Sequence, residues 1–216
     1  MTQQEGVIKF ELWFLQTPPL PDEVLREVNA WRQVLYANQL IGRDPARYEG
    51  YGFGNISRRV GPFGVPPHAR RFIITGSQTG SVPVLTGADY ALVRESHPEQ
   101  NLIAAEGPIL PSSESLTHGT LYALDGDLRC VMHVHSPELW RHARTLGLPV
   151  TRPDVPYGSP EMSDEVRRLF GETEVRRRRL FSMGGHEDGL VSFGRTAEEA
   201  GSVLLTHLAR ALQLGS

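Results

Sequence analysis

Short apolar runs alternate with helix-length stretches along the whole chain, and a capping residue, a proline or a glycine marks each switch. This interleaving constrains the fold more than any other feature. Strands and helices that alternate in sequence pack as layers around a sheet, which gives an α/β protein. Residues 7–15 (VIKFELWFL) read as a strand closed by the prolines at 18, 19 and 21. Asp22 opens a helix to about Asn38, with Val24, Val28, Trp31 and Leu35 on one face at helical spacing. Short strands follow near 56–60, 71–75, 89–93 and 101–105.

The second half continues the pattern. Serines in PSSES cap a helix from about Ser113 to Leu124, and RCVMHV at 129–134 is an apolar strand. Ser136-Pro137 and Ser159-Pro160 each start a helix, the second stopping near Gly171. Strands at 179–183 and 190–193 flank a glycine-rich turn. Thr196 with Glu199 forms a capping box for a last helix, with Val203, Leu204, Leu208 and Leu212 facing the core. No repeat, low-complexity tract or linker divides the chain, so a single domain over 1–216 is expected, with 1–20 as an N-terminal extension.

Charge and composition exclude several function classes. A net charge of −3 over 216 residues argues against general nucleic-acid binding, and the basic run Arg176–Arg179 reads as a solvated turn. One cysteine, Cys130, rules out an intrachain disulfide and a thiolate cluster. The opening MTQQEGVIKF is not a signal peptide, and no apolar run reaches the roughly 20 residues a membrane span needs. A cytoplasmic, reducing compartment fits. The chain has a single lysine, Lys9, outside any expected pocket. Schiff-base chemistry therefore lacks its amine, and carbon–carbon bond cleavage here would need a metal ion as electron sink. No P-loop or dinucleotide fingerprint is present.

The chemistry-bearing signal is His133-Val134-His135. Residues two apart in a strand point to the same side, so both imidazoles can reach one ion while Val134 enters the core. Two histidines, a third nitrogen and an open position make a catalytic divalent site; a satisfied polar strand edge is the other reading. His186 in MGGHEDG is flanked by glycines that let backbone approach a ligand, or it is an exposed hairpin histidine. Glu187 and Asp188 are either acceptors that orient a ligand histidine or solvated carboxylates. In Pro111–Glu114 the free amides by Ser112 and Ser113 suit an anion, and Glu114 is either a reactive carboxylate or a helix cap. His118, four residues on, shares its helix face as a hydrogen-bonding partner or a packed core histidine. The loops Gly54-Asn55-Ile56-Ser57 and Thr75-Gly76-Ser77-Gln78-Thr79-Gly80 are either anion nests or ordinary turns.

In order, GNIS, TGSQTG, PSSE, HVHS and a late glycine-flanked histidine resemble the class II aldolase/adducin family, over about nine-tenths of the chain. The resemblance implies a three-layer α/β/α sandwich with a mixed central sheet. It implies a divalent metal, usually zinc, held by His133, His135 and His186, with Glu114 as the acid/base carboxylate. Asn55, Thr75, Gly76, Ser112 and Ser113 fall where family sugar-phosphate aldolases hold the phosphate. A homotetramer with sites at subunit boundaries follows by the same likeness, as does a small-molecule substrate with no nucleic acid or membrane partner. The chain departs from the fuculose-phosphate aldolase branch in a short, tyrosine-free stretch from His142 to Pro156, which leaves Tyr157 as the nearby proton donor. It departs again in HEDG, where the family has His followed by Gly. Glutamate at 114 leans away from the epimerase branch. The implied activity is a metal-dependent lyase working through a stabilised enediolate. Decarboxylation, dehydration or epimerisation on the same site, or an adducin-like interaction role without chemistry, are the alternatives.

Overall fold

The computed structural model describes residues 6–215. Its elements run β1 (Glu11–Gln16), α1 (Asp22–Ala37), β2 (Gly42–Arg43), β3 (Gly52–Phe53), β4 (Asn55–Arg59), β5 (Phe72–Thr75), β6 (Tyr90–His97), β7 (Leu102–Gly107) and α2 (Ser115–Leu124). They continue with β8 (Cys130–His135), α3 (Pro137–His142), α4 (Pro160–Glu172), α5 (Val175–Arg178), β9 (Leu180–Ser182), β10 (Gly189–Gly194) and α6 (Ala197–Leu214). Three helices start on the expected caps. The hydroxyls of Ser136, Ser159 and Thr196 accept the amides of Leu139, Met162 and Glu199. The Thr196 box is only half formed, because the Glu199 carboxylate accepts the Arg195 amide instead of returning to Thr196.

Eight strands form one sheet in the order β1-β7-β6-β5-β4-β8-β10-β9, and β2 pairs with β3 separately. Neighbours are antiparallel except β1 and β7, which run parallel, so the large sheet is mixed. Helices cover both faces. On one side Leu116, Leu121, Met162, Val166, Leu169 and Val175 from α2, α4 and α5 pack on the strands. On the other, Leu25, Val28, Leu35, Leu139, Ala200 and Leu204 from α1, α3 and α6 do so. This is the three-layer α/β/α arrangement with a mixed central sheet that the resemblance implies. Alternation along β8 sends Val131 to the first core and Cys130, Met132 and Val134 to the second. His133 and His135 therefore share the α2/α4 side. No helix among the described residues is long and apolar enough to cross a membrane.

Three local expectations are corrected. The strand expected over 7–15 begins only at Glu11; residues 7–9 leave the sheet and bond toward Tyr157. The buried face of α1 is Leu25, Val28, Arg32 and Leu35, with Val24 exposed. Arg32 tolerates burial because its guanidinium donates to the carbonyls of Thr79, Gly80 and Pro83. In α6 the expected stripe holds at Leu204, which is buried, and at Val203 and Leu208, which pack against the core, but Leu212 is exposed. Gly201 lies so close to the Trp31 ring that a Cβ there would collide with it. Arg176 and Arg177 are exposed, as a solvated basic run should be, and Arg177 pairs with Glu174.

Candidate functional site

The sheet brings three histidines together. His133 and His135 point to the same side of β8, and His186 arrives from the turn between β9 and β10. Strand register fixes the approach: β10 pairs Gly189 with His135 and Val191 with His133. A side chain at 189 would run into the His186 ring, so glycine is required there for the turn to fold over its own histidine. One ligand atom from each imidazole lies within 4.8 Å of the others. The Nε2 atoms of His135 and His186 are 3.0 Å apart. His133 Nδ1 donates to the Leu190 carbonyl at 3.1 Å, and a carbonyl only accepts, so the Nε2 lone pair is left for a ligand.

All three rings are buried. Burial holds each imidazole below its ordinary range, His135 and His186 well below it. Neighbouring histidines push His135 and His186 further down, whereas the Glu114 carboxylate works the other way on His133. Neutral imidazoles near neutral pH are the protonation state a divalent cation binds.

Glu114 occupies the N-cap position of α2, one residue before the helix proper, yet its side chain makes no capping hydrogen bond. Both carboxylate oxygens are buried with no hydrogen-bond partner among the described residues. A buried carboxylate without donors is costly unless something it faces compensates it. A cation beside His133 does this, so the donor set and the orphaned carboxylate together fit a divalent ion.

The loops gather at the same end. Asn55 is the register partner of His133 across β4 and β8, and its buried Oδ1 lacks a partner among the described residues. Gly76, Ser112 and Ser113 line a small cavity with Asn55, Glu114 and His133. Thr75 sits behind them: its hydroxyl accepts the Ile56 amide at 3.3 Å and its carbonyl accepts the Ser112 amide at 3.2 Å. It thus ties the TGS loop to PSSE instead of facing the cavity. The Tyr157 ring is buried, its centroid 4.7 Å from that of His186. His118 is a buried core histidine and not a partner of Glu114: its Nδ1 lies 2.7 Å from the Ser57 hydroxyl, which also meets the Tyr122 hydroxyl at 2.8 Å.

Several neighbours were not singled out from the sequence. Phe53 stacks on His135 and Tyr48 meets it edge-on, at centroid distances of 5.2 and 4.6 Å. The tyrosine hydroxyl donates to Asp188 at 2.6 Å, and Arg47 pairs with the same carboxylate. Asp188 is buried and Glu187 exposed; Asp188 thereby anchors the Arg47–Tyr48 loop against His135. A cleft of about 870 Å³, lined in part by Arg47, Tyr48, Phe53 and Glu138, opens beside His135. The aromatic residues in the Gly-rich run 48–54 were the available signal, but nothing local pairs them with a strand some 80 residues downstream.

Known proteins share this fold. The sequence model of the Class II Aldolase and Adducin N-terminal domain matches residues 32–214, and the chain belongs to that family. No curated protein sequence matches it. Among solved structures, the L-fuculose-1-phosphate aldolase of Thermus thermophilus superposes with a TM-score of 0.62 at 21% identity, over 90% of this chain and 93% of that one. A sugar-phosphate aldolase of Thermotoga maritima gives 0.60 at 19% identity, over 90% and 97%. The N-terminal class II aldolase domain of a conserved protein from Thermoplasma acidophilum gives 0.59 at 16%, over 91% and 96%. At these identities the likeness establishes the fold.

Proposed function

We propose that this chain is a metal-dependent lyase that breaks or forms a carbon–carbon bond in a small hydroxy-carbonyl compound. The observation that carries the reading is the meeting of three buried, neutral-biased imidazoles with a buried carboxylate that caps nothing. His133, His135 and His186 would hold the ion, taken as Zn²⁺ from the nitrogen-only donor set. Once bound, the ion supplies Lewis-acid stabilisation of the negative charge that develops on the substrate carbonyl oxygen.

The chain's own groups do the rest. Glu114 moves the proton at the carbon beside the carbonyl, from a position where no other hydrogen bond competes for its oxygens. Tyr157, packed on His186, protonates the departing fragment. Asn55, Gly76, Ser112 and Ser113 hold substrate oxygens, and Thr75 fixes the two loops that carry them. Burial around the histidines excludes bulk water, which strengthens each of these polar contacts. The assembly that goes with this reading is a homotetramer with sites at subunit boundaries, by the family likeness.

Hydrogen exchange tests the reading before a substrate is known. The zinc-loaded protein should exchange hydrogen for deuterium beside the carbonyl of at least one member of a hydroxy-carbonyl panel in D2O, followed by NMR. Chelation should stop the exchange. Exchange that persists unchanged in the metal-stripped protein would remove the metal from the chemistry.

A further inference from the structure

The segment ahead of β1 lies across the loop end of the site, over Tyr157. Its root is fixed: Phe10 is buried in the core, the Asn101 side chain donates to the Lys9 carbonyl at 3.0 Å, and the Glu11 amide donates to the Asn101 carbonyl at 2.8 Å. From there the chain runs over Tyr157. Lys9 Nζ donates to the Tyr157 carbonyl at 2.9 Å and lies 3.4 Å above the ring centroid. The Val7 amide donates to the Tyr157 hydroxyl at 3.3 Å. Gly6 then reaches the TGS loop, where its carbonyl accepts the Ser77 hydroxyl at 3.3 Å. Its φ of +73° is a left-handed conformation that only glycine adopts without strain, and a Cβ there would press on the Gln78 side-chain amide.

This arm changes what the loop end of the site can take. With Gly6 in its wall, the cavity bounded by Asn55, Gly76, Ser112, Ser113 and Glu114 is about 20 Å³. That holds about one water molecule. It leaves room there for a single substrate oxygen and not for a phosphoryl group with three terminal oxygens. Charge points the same way: no lysine or arginine lines the cavity among the described residues, the Glu114 carboxylate does, and the Ser77 hydroxyl already donates to Gly6. A dianion there would meet the Glu114 carboxylate and the Gly6 carbonyl oxygen at close range. Residues 6–10 also precede the family match, which begins at residue 32, so the closure belongs to a part of this chain outside that match.

We propose that the N-terminal arm occupies the phosphate end of the site, so that the substrate is a short, unphosphorylated hydroxy-carbonyl compound. The proposal rests on the metal-dependent reading above and narrows it to a substrate class.

Two chelating probes separate the possibilities: glycolohydroxamate and its phosphate ester, titrated by calorimetry into the zinc-loaded full-length protein. Wild type should bind the unphosphorylated probe at least as tightly as the ester. Gly6→Val, which puts a branched side chain at a left-handed position against Gln78, should displace the arm and shift the affinity ratio toward the ester by about tenfold. A wild-type protein that prefers the ester by about tenfold or more overturns the proposal and leaves the metal reading intact. A Gly6→Val protein with an unchanged ratio also overturns it, because the arm is then not what excludes the phosphate. Failure of both probes to bind contradicts the metal reading and this proposal with it.

Discussion

The two ends of the site are built in opposite ways. The histidine end stands on β8, β10 and the turn before β10, where ladder pairing on both sides of β8 fixes each imidazole. The loop end is assembled from three segments far apart in sequence, tied to one another by a few bonds such as Thr75 to Ile56 and Ser112 to Thr75, and closed by an arm. Ligation requires fixed nitrogens and is served by a sheet. Substrate discrimination requires a boundary that differs between relatives, and loops with a covering arm provide one.

The largest expected effect separates the two ends chemically. Glu114→Gln keeps the shape but removes the base. It should lower turnover, or deuterium exchange in the same D2O assay, by roughly 10²–10⁴, with metal content unchanged. A variant that exchanges like wild type would return Glu114 to a structural role and bring His118 forward.

The next effect is on stability and falls on the loop end. Arg32→Met removes the donor that three carbonyls of the 79–83 loop share. The cost should be about 3 kcal/mol in urea unfolding, with near-wild-type metal content, because the histidines stand on β8 and the turn before β10. Metal loss as large as the stability loss would break the comparison by coupling the two ends.

A further effect is a pH dependence of the apoprotein. His118, His133, His135 and His186 are all held below the ordinary histidine value by burial. The unfolded chain therefore takes up protons that the folded one refuses as pH falls through about 6.5. Stability from these groups is fully present above that value and is lost toward acid. The Tm of the metal-free protein should drop between about pH 7 and pH 5, and a flat or rising Tm would contradict the buried neutral assignment.

Legibility in the sequence followed the same division. His133, Val134 and His135 could be read because strand alternation is local, and the capped helix starts at Ser136, Ser159 and Thr196 could be read for the same reason. Arg32 could not, since its burial depends on carbonyls some 50 residues away. The α6 stripe was legible at Val203, Leu204 and Leu208 and failed at Leu212, whereas the contact of Gly201 with Trp31 had no local signal. Asp188 and Glu187 look alike in sequence; only the folded Arg47–Tyr48 loop distinguishes the buried anchor from the solvated carboxylate. Residues 7–9 continue the apolar run of β1, and they leave the sheet toward Tyr157 at the level where β7 begins.

The account stands on the histidines as ligands and Glu114 as a non-ligand, and elemental analysis of metal bound per chain tests that division directly. After loading and exhaustive dialysis, wild type and Glu114→Gln should each retain about one divalent ion per chain, while His133→Ala and His135→Ala lose most of theirs. Full retention in both histidine variants, or none in wild type, would contradict it.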